Sequence, residues 1–312
     1  MQVAVIGGTG VVGRCVVAEL VARGHTALAV SRTAPADGPA AAPGGRAERE
    51  GAERARAERE GAERARAERA RAEQEGAQHA APSGRAEHRR ADLRSGDGLA
   101  AALDGADAVV DASNDQRARK DELARASRTL LAAEAVAGVG HHVAISIVGC
   151  DRAAVGYYGA KVAQEQVVTS GPVAWSLLRA TQFHQLIAWA FSAAGRARLR
   201  PTGRALIQPI DPAVVATRLV GAVEAGPGGR LPDVGGPRVQ TLAELAADWQ
   251  AHGGAAALPL PLPLRLIGRT GRALRDGSLT APGAAAPGPT FAQWLDLDRD
   301  RAPAAVRESA AR

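Results

Sequence analysis

The stretch Met1-Gln-Val-Ala-Val-Ile-Gly7-Gly-Thr-Gly10-Val-Val-Gly13 decides how the rest of the chain is read. Val3 to Ile6 is a short apolar run of the kind a parallel strand buried on both faces requires. It runs directly into Gly7, Gly10 and Gly13, then into helically spaced Val12, Cys15, Val16, Leu20 and Val21, closed by Gly24. A strand, a glycine turn and a helix in that order form the context that binds a dinucleotide. Side chains are absent where a pyrophosphate approaches the backbone, and the helix N-terminus offers free N–H groups and a favourable dipole. Thr9, Val11 and Val12 lie within the same turn and are expected beside the phosphates together with the glycines.

With 312 residues the chain has room for one large α/β domain or two modest ones. Cys15 and Cys150 are its only cysteines, which excludes a disulfide framework and points to a reducing compartment. The first strand starts without a basic leader, so no signal peptide is expected. The longest apolar stretch, Ala255 to Leu264, is interrupted by Pro259, Pro261 and Pro263 and is too short to span a bilayer. A cytoplasmic protein, monomeric or homodimeric and without a membrane partner, is expected. The net charge of +6 does not argue for nucleic acid, because aromatic residues make up only 3% of the chain and no basic run interleaves with them.

From Arg46 to Gly76 the chain repeats Ala-Glu-Arg-Glu-Gly-Ala-Glu-Arg-Ala-Arg every ten residues. Nine arginines balance nine glutamates between Arg46 and Glu75, so the segment is neutral. Pairs such as Glu50–Arg54 suit a solvated helix, but no apolar stripe exists, and Gly51 and Gly61 each cost a helix about 1 kcal/mol. The segment contributes no core. A mobile or isolated charged helix, or disorder, is expected, within a low-complexity insertion over 34–88.

Bridging that insertion leaves strands alternating with helices. Strands are expected at Val3–Ile6, His25–Ser31, Arg89–Leu93, Ala106–Ala112, His142–Val148 and Ala174–Leu178. Helices are expected at Gly98–Leu103, Asp121–Ala137 and Tyr157–Thr169. This alternation predicts a Rossmann-type doubly wound parallel sheet with helices on both faces. A nucleotide-binding domain over 1–190 is expected to precede a substrate-covering lobe over 191–298, some of whose elements return to the first domain, and a tail over 299–312. In the second part helices are read at Asp211–Ala225, Leu242–Ala251 and Phe291–Leu297, and a short strand at Arg238–Thr241. Thr241 with Glu244 three residues on is a capping-box signature. Leu264–Arg275 is weakly amphipathic.

Tyr157 and Tyr158 are the only tyrosines, and Lys161 is one of two lysines. Tyr157-x-x-x-Lys161 places both side chains on one helix face, where a cation favours phenolate and suits the tyrosine to acid–base work. Ser146, near the end of the fifth strand, faces the same crevice. Asn114 past the fourth strand is read either as a turn former or as a residue positioning Lys161 through water. His184 is read as structural, with substrate contact as the alternative. His141 and His142 point to opposite faces of a strand and suggest no metal site.

Gly7-x-x-Gly10-x-x-Gly13, Asp92-Leu93, Ser146 and Tyr157-x-x-x-Lys161 resemble the short-chain dehydrogenase/reductase superfamily. His-His-Val-Ala-Ile-Ser-Ile-Val-Gly, Gly-Tyr-Tyr-Gly-Ala-Lys and Leu-Leu-Arg-Ala-Thr-Gln-Phe-His are similar to its atypical, extended NmrA-like branch, widespread in actinobacteria. The resemblance implies Tyr157 as proton donor to a substrate carbonyl, Lys161 as ligand of the nicotinamide ribose, and Ser146 as orienter of the carbonyl. It also implies that Asp92 and Leu93 approach the adenine, Ala112 and Ser113 the cofactor ribose, and Thr181, Gln182 and Phe183 the nicotinamide end. The second strand ends in Ser31-Arg32-Thr33 without the carboxylate that would hold an NAD ribose, so NADP(H) is expected ahead of NAD(H). The function expected is carbonyl reduction or alcohol oxidation on a small organic substrate. The alternatives are a non-catalytic NADP(H)-sensing regulator and a nucleotide-sugar epimerase or dehydratase.

Overall fold

The computed structural model describes residues 1–33, 84–114, 120–253, 258–261 and 268–301. The charged repeat and the terminal tail lie outside the described residues. Among the described residues, seven parallel strands form the main sheet: β1 (Gln2–Ile6), β2 (Thr26–Ser31), β3 (Arg85–Arg90), β4 (Ala108–Asp111), β5 (His141–Ile147), β6 (Trp175–Ala180) and β9 (Gly229–Arg230). Their order is β3-β2-β1-β4-β5-β6-β9, so the chain reverses direction across the sheet between β1 and β4. This is the Rossmann-type doubly wound fold that the alternating elements predict.

Both faces of β1 are buried, which is why its sequence reads as a continuous apolar run. Val3 and Val5 join α1 (Val11–Ala22) and α6 (Pro212–Ala225) in one core through Val16, Leu20, Leu219 and Val223. Ala4 and Ile6 pack on the other face with Leu28, Val30, Leu99 and Leu103, the last two from α2 (Leu99–Leu103). On that side α3 (Lys120–Ala137) also packs through Leu130. The left-handed Gly24 and Gly138 follow α1 and α3, where helices commonly stop.

Three sequence-based expectations need correction. The third strand runs Arg85–Arg90 rather than from Arg89 to Leu93, and its first residues fall inside the stretch read as insertion. Arg-Ala-Glu-His-Arg-Arg is a polar edge strand with no apolar alternation, held by pairing along β2 from Thr26↔Arg85 to Ser31↔Arg90. A helix the sequence did not reveal, α5 (His184–Arg196), crosses the expected boundary at 190/191. Its Ile187 and Phe191 pack with Ile207, Leu245, Phe291 and Trp294 in a cluster separate from those on the two faces of β1. The last helix, α9, extends over Phe291–Arg301, past the expected stop at Leu297.

The elements that follow are β7 (Leu199–Thr202), β8 (Leu206–Ile207), β10 (Gln240–Thr241), α7 (Leu242–Ala251), β11 (Leu258–Pro261) and α8 (Arg269–Arg275). They make two small sheets, β10 with β8 and β11 with β7. Thr241 and Glu244 form the predicted capping box at the start of α7. Asp211 caps α6 by accepting from the Ala213 N–H, with Pro212 in the first turn. By contrast α1 has Gly10 as its cap residue and no capping side chain. No helix among the described residues is long and apolar enough to cross a membrane.

Candidate active site

A cleft of about 1170 Å³ opens along the carboxyl ends of β1, β2, β4 and β5. Most of the expected site residues line it. Gly7, Thr9, Gly10, Val11 and Val12 form one stretch of wall, Ser31, Arg32, Asp92 and Leu93 another, and Ala112, Ser113, Ser146, Tyr157, Lys161, Gln182 and Phe183 the rest. Gly13 does not line the cleft. An added Cβ there would lie 2.1 Å from the Gly7 carbonyl oxygen, so this glycine lets helix and turn touch. Gly7 itself is left-handed, with φ +74°. Gly8 was passed over in the sequence, yet its Cβ would come within 2.8 Å of the Ala29 Cα. It sits where the turn crosses β2.

The chemical groups converge from two elements, β5 and the following helix α4 (Gly156–Thr169). Tyr157 Oη donates to Asn114 Oδ1 at 2.6 Å. Asn114 thus meets the phenol directly. Lys161 is buried, and its Nζ donates to the Ile145 carbonyl at 2.9 Å and to Gln164 Oε1 at 2.5 Å. Burial draws the Lys161 ammonium below its ordinary range, against the pull of Asp111. Ser146 Oγ lies 3.9 Å from Cys150 Sγ. Tyr157, Lys161 and Ser146 therefore share a wall, while each of these contacts is made to a different neighbour. Tyr158 turns toward Ala153, Ala273 and Leu279, and burial raises its phenol above the usual value.

Several expected cofactor contacts spend their polar atoms on the protein. Ser113 donates its hydroxyl to Asp111 Oδ1 at 2.5 Å, and Ser31 donates its own to the Thr33 carbonyl at 2.7 Å. Asp92 Oδ1 accepts from the Arg94 N–H at 2.8 Å, closing its own turn. Gln182 donates to the Leu279 carbonyl at 3.0 Å and ties the end of β6 to the segment after α8. Next to Arg32 a smaller recess of about 270 Å³ is lined by Arg90, Asp92 and Asp97. Arg90 was missed in the sequence because its strand was placed too late. Glu122, Leu123 and Ala126 from α3 and Gln185, Leu186 and Trp189 from α5 also face the cleft. No spacing signal marked them, since they come together only through packing.

His184 is structural. It is fully buried, its Nε2 lies 3.1 Å from the Pro289 carbonyl, and its ring stacks on Phe291 and Trp294. Burial lowers its pKa from 6.5 to about 4. Between those values the unfolded chain binds the extra proton, so stability is full above about 6.5 and falls as pH drops toward 4. The contribution is about 3 kcal/mol. Urea unfolding near neutral pH and near pH 4 is expected to show a smaller acid loss in His184→Phe than in the parent; equal losses would refute the assignment.

His141 and His142 do face opposite ways, to Ser176 Oγ at 2.9 Å and to Glu134 at 2.9 Å. Neither cysteine is in a disulfide, and burial pushes the Cys150 thiol up to about 11.

Strand order, glycine turn and cleft together define a doubly wound α/β fold of the Rossmann type. Comparison with solved structures finds the same architecture. An NADPH-dependent quinone oxidoreductase from Escherichia coli, complexed with NADPH, is similar with a TM-score of 0.61 at 19% identity, over 95% of this chain and 99% of that one. A UDP-glucose 4-epimerase from Bifidobacterium longum, in complex with NAD+ and UDP, gives 0.63 at 13% identity, over 96% and 98%. MoeE5 in complex with UDP-glucuronic acid and NAD gives 0.67 at 16% identity, over 97% and 100%. No protein-family model matches the chain, and neither does any curated protein sequence.

Proposed function

We propose that the protein is an NADP(H)-dependent oxidoreductase acting on a carbonyl or alcohol of a small organic substrate. The observation that carries this reading is the joining of the glycine turn and the Tyr157–Lys161 helix in one cleft. The similar folds that bind NADPH or NAD support it.

The residues present suit a dinucleotide. The first-turn N–H groups of α1 have no helical acceptor and no capping side chain, which leaves them for an anion. A Cβ at Gly7 would meet the Ala112 carbonyl at 3.0 Å, so the wall there is bare backbone. Gly7, Thr9, Gly10, Val11 and Val12 would hold the pyrophosphate, and Arg32 with Arg90 the 2′-phosphate of NADP(H). The bound nicotinamide supplies or accepts a hydride. Tyr157 gives its hydroxyl proton to the carbonyl oxygen, or takes it back in the oxidative direction. Lys161 stabilises the phenolate so formed and anchors the nicotinamide ribose, and Ser146 orients the carbonyl. Asn114 holds the phenol in place until substrate displaces it.

NADPH consumption against a panel of ketones, aldehydes, quinones and enones tests the reading. Tight NADPH binding beside a silent panel would favour a cofactor-sensing regulator instead. Net turnover with no retained NAD would count against an epimerase. For the cofactor choice, Arg32→Ala and Arg90→Ala are each expected to weaken NADPH binding about tenfold and NADH binding little. Equal losses for both cofactors would show that these arginines do not read the 2′ position.

A further inference from the structure

Behind the cleft, Lys161 is the end of a buried chain of polar groups. Its Nζ, on a residue 3% exposed, donates to Gln164 Oε1 at 2.5 Å. Gln164 follows on the same helix and is itself buried, and its Nε2 donates to Asp111 Oδ2 at 3.2 Å. Asp111 ends β4 and is 2% exposed; its other oxygen accepts from the Ser113 N–H at 3.0 Å and hydroxyl at 2.5 Å. Only one orientation of the Gln164 amide works. Reversed, its N–H groups would face the ammonium and its carbonyl the carboxylate. The amide dipole therefore lies aligned between cation and anion.

Taking an ammonium out of water disfavours its charge unless a partner compensates. Besides Asp111, Cys150 after β5 and Glu165 on α4 act electrostatically on Lys161, and the Tyr157 phenol shares its cleft wall. Glu165 is already bound at both oxygens by Arg179, at 2.7 and 2.5 Å, and Arg179 also pairs with Asp151. Cys150, pushed up to about 11, is a neutral thiol at neutral pH. Glu134 on α3 and His142 on β5 act electrostatically on the Asp111 side, and these two are bonded to each other. Asp111 is thus the carboxylate bonded through to Lys161.

We propose that Asp111 and Gln164 are positioning residues: through the Gln164 amide, the Asp111 carboxylate fixes Lys161 Nζ at the floor of the cleft and keeps it an ammonium. The proposal rests on Lys161 being the cation that serves Tyr157. It explains how a lysine so deeply buried retains the charge that role demands.

The chain has two lysines, so the folded protein labelled with ε-13C lysine gives two side-chain resonances, with Lys120→Arg assigning them. Titrated by NMR, the Lys161 midpoint is expected to fall by about one unit or more in Asp111→Asn and in Gln164→Met. In Gln164→Glu, which sets a carboxylate directly on the ammonium, it is expected to rise. Lys120 serves as the internal reference. Opposite shifts from two substitutions at one position do not arise from a loosened fold. Should Asp111→Asn not fold, the Gln164 pair alone decides. Midpoints that stay put, or that move the same way in Gln164→Met and Gln164→Glu, would overturn the proposal. The titration needs no substrate, whereas the reading of Tyr157 stands or falls on turnover, so the two fail separately.

Discussion

Tyr157→Phe is expected to lower turnover by about two to four orders of magnitude and to leave NADPH affinity within a few-fold. The substitution removes one hydroxyl, and with it the bond to Asn114. The ring keeps its packing against Leu123 and Ala160. Loss of a positioned acid therefore separates cleanly from loss of structure. Tyr158→Phe is the control: that ring also borders the cleft but packs on Ala153 and Leu279. Steady-state kinetics with the substrate found in the panel, beside fluorescence titration with NADPH, gives both quantities. Full activity in Tyr157→Phe would remove the tyrosine from the chemistry. The protein would then be either a hydride-transfer enzyme that works without it or a sensor.

Gly13→Ala is expected to destabilise the protein by about 2 kcal/mol or more and to abolish tight cofactor binding. Two effects oppose each other here. Alanine inside a helix is intrinsically better than glycine by about 1 kcal/mol. The new methyl, however, would sit 2.1 Å from the Gly7 carbonyl oxygen and 2.8 Å from the Gly8 Cα, and backbone cannot move aside as a flexible side chain can. The clash wins, and relieving it pushes α1 off the turn whose N–H groups would hold the pyrophosphate. Gly221 in α6 is the matched comparison, since a Cβ there meets nothing within 4 Å. Gly221→Ala is expected to raise stability by about 1 kcal/mol. Urea unfolding of both variants checks the pair, and a stabilised Gly13→Ala would show that α1 has room to shift.

The sequence by itself determined the parts of this protein that local periodicity and local chemistry govern. Val3–Ile6, Gly7, Gly10 and Gly13 specified a strand, a turn and a helix start because burial on both faces and close backbone approach each leave a residue-level trace. Thr241 with Glu244 announced α7 for the same reason, since a cap is made by neighbours in the chain. Tyr157 and Lys161 were legible because a helix brings residues four apart onto one face. Tertiary structure alone decided the rest. Strand β3 is polar and exists because β2 offers it a full ladder of parallel pairing, which no pattern within Arg85–Arg90 encodes. Helix α5 is anchored by Phe291 and Trp294, about a hundred residues further along the chain, so nothing near it in sequence marked it. Most of all, the setting of Lys161 depends on Asp111 and Gln164, contributed by different elements and joined only when β4 and α4 meet across the sheet. Spacing can place a lysine beside a tyrosine, but only packing sets the charges that surround it.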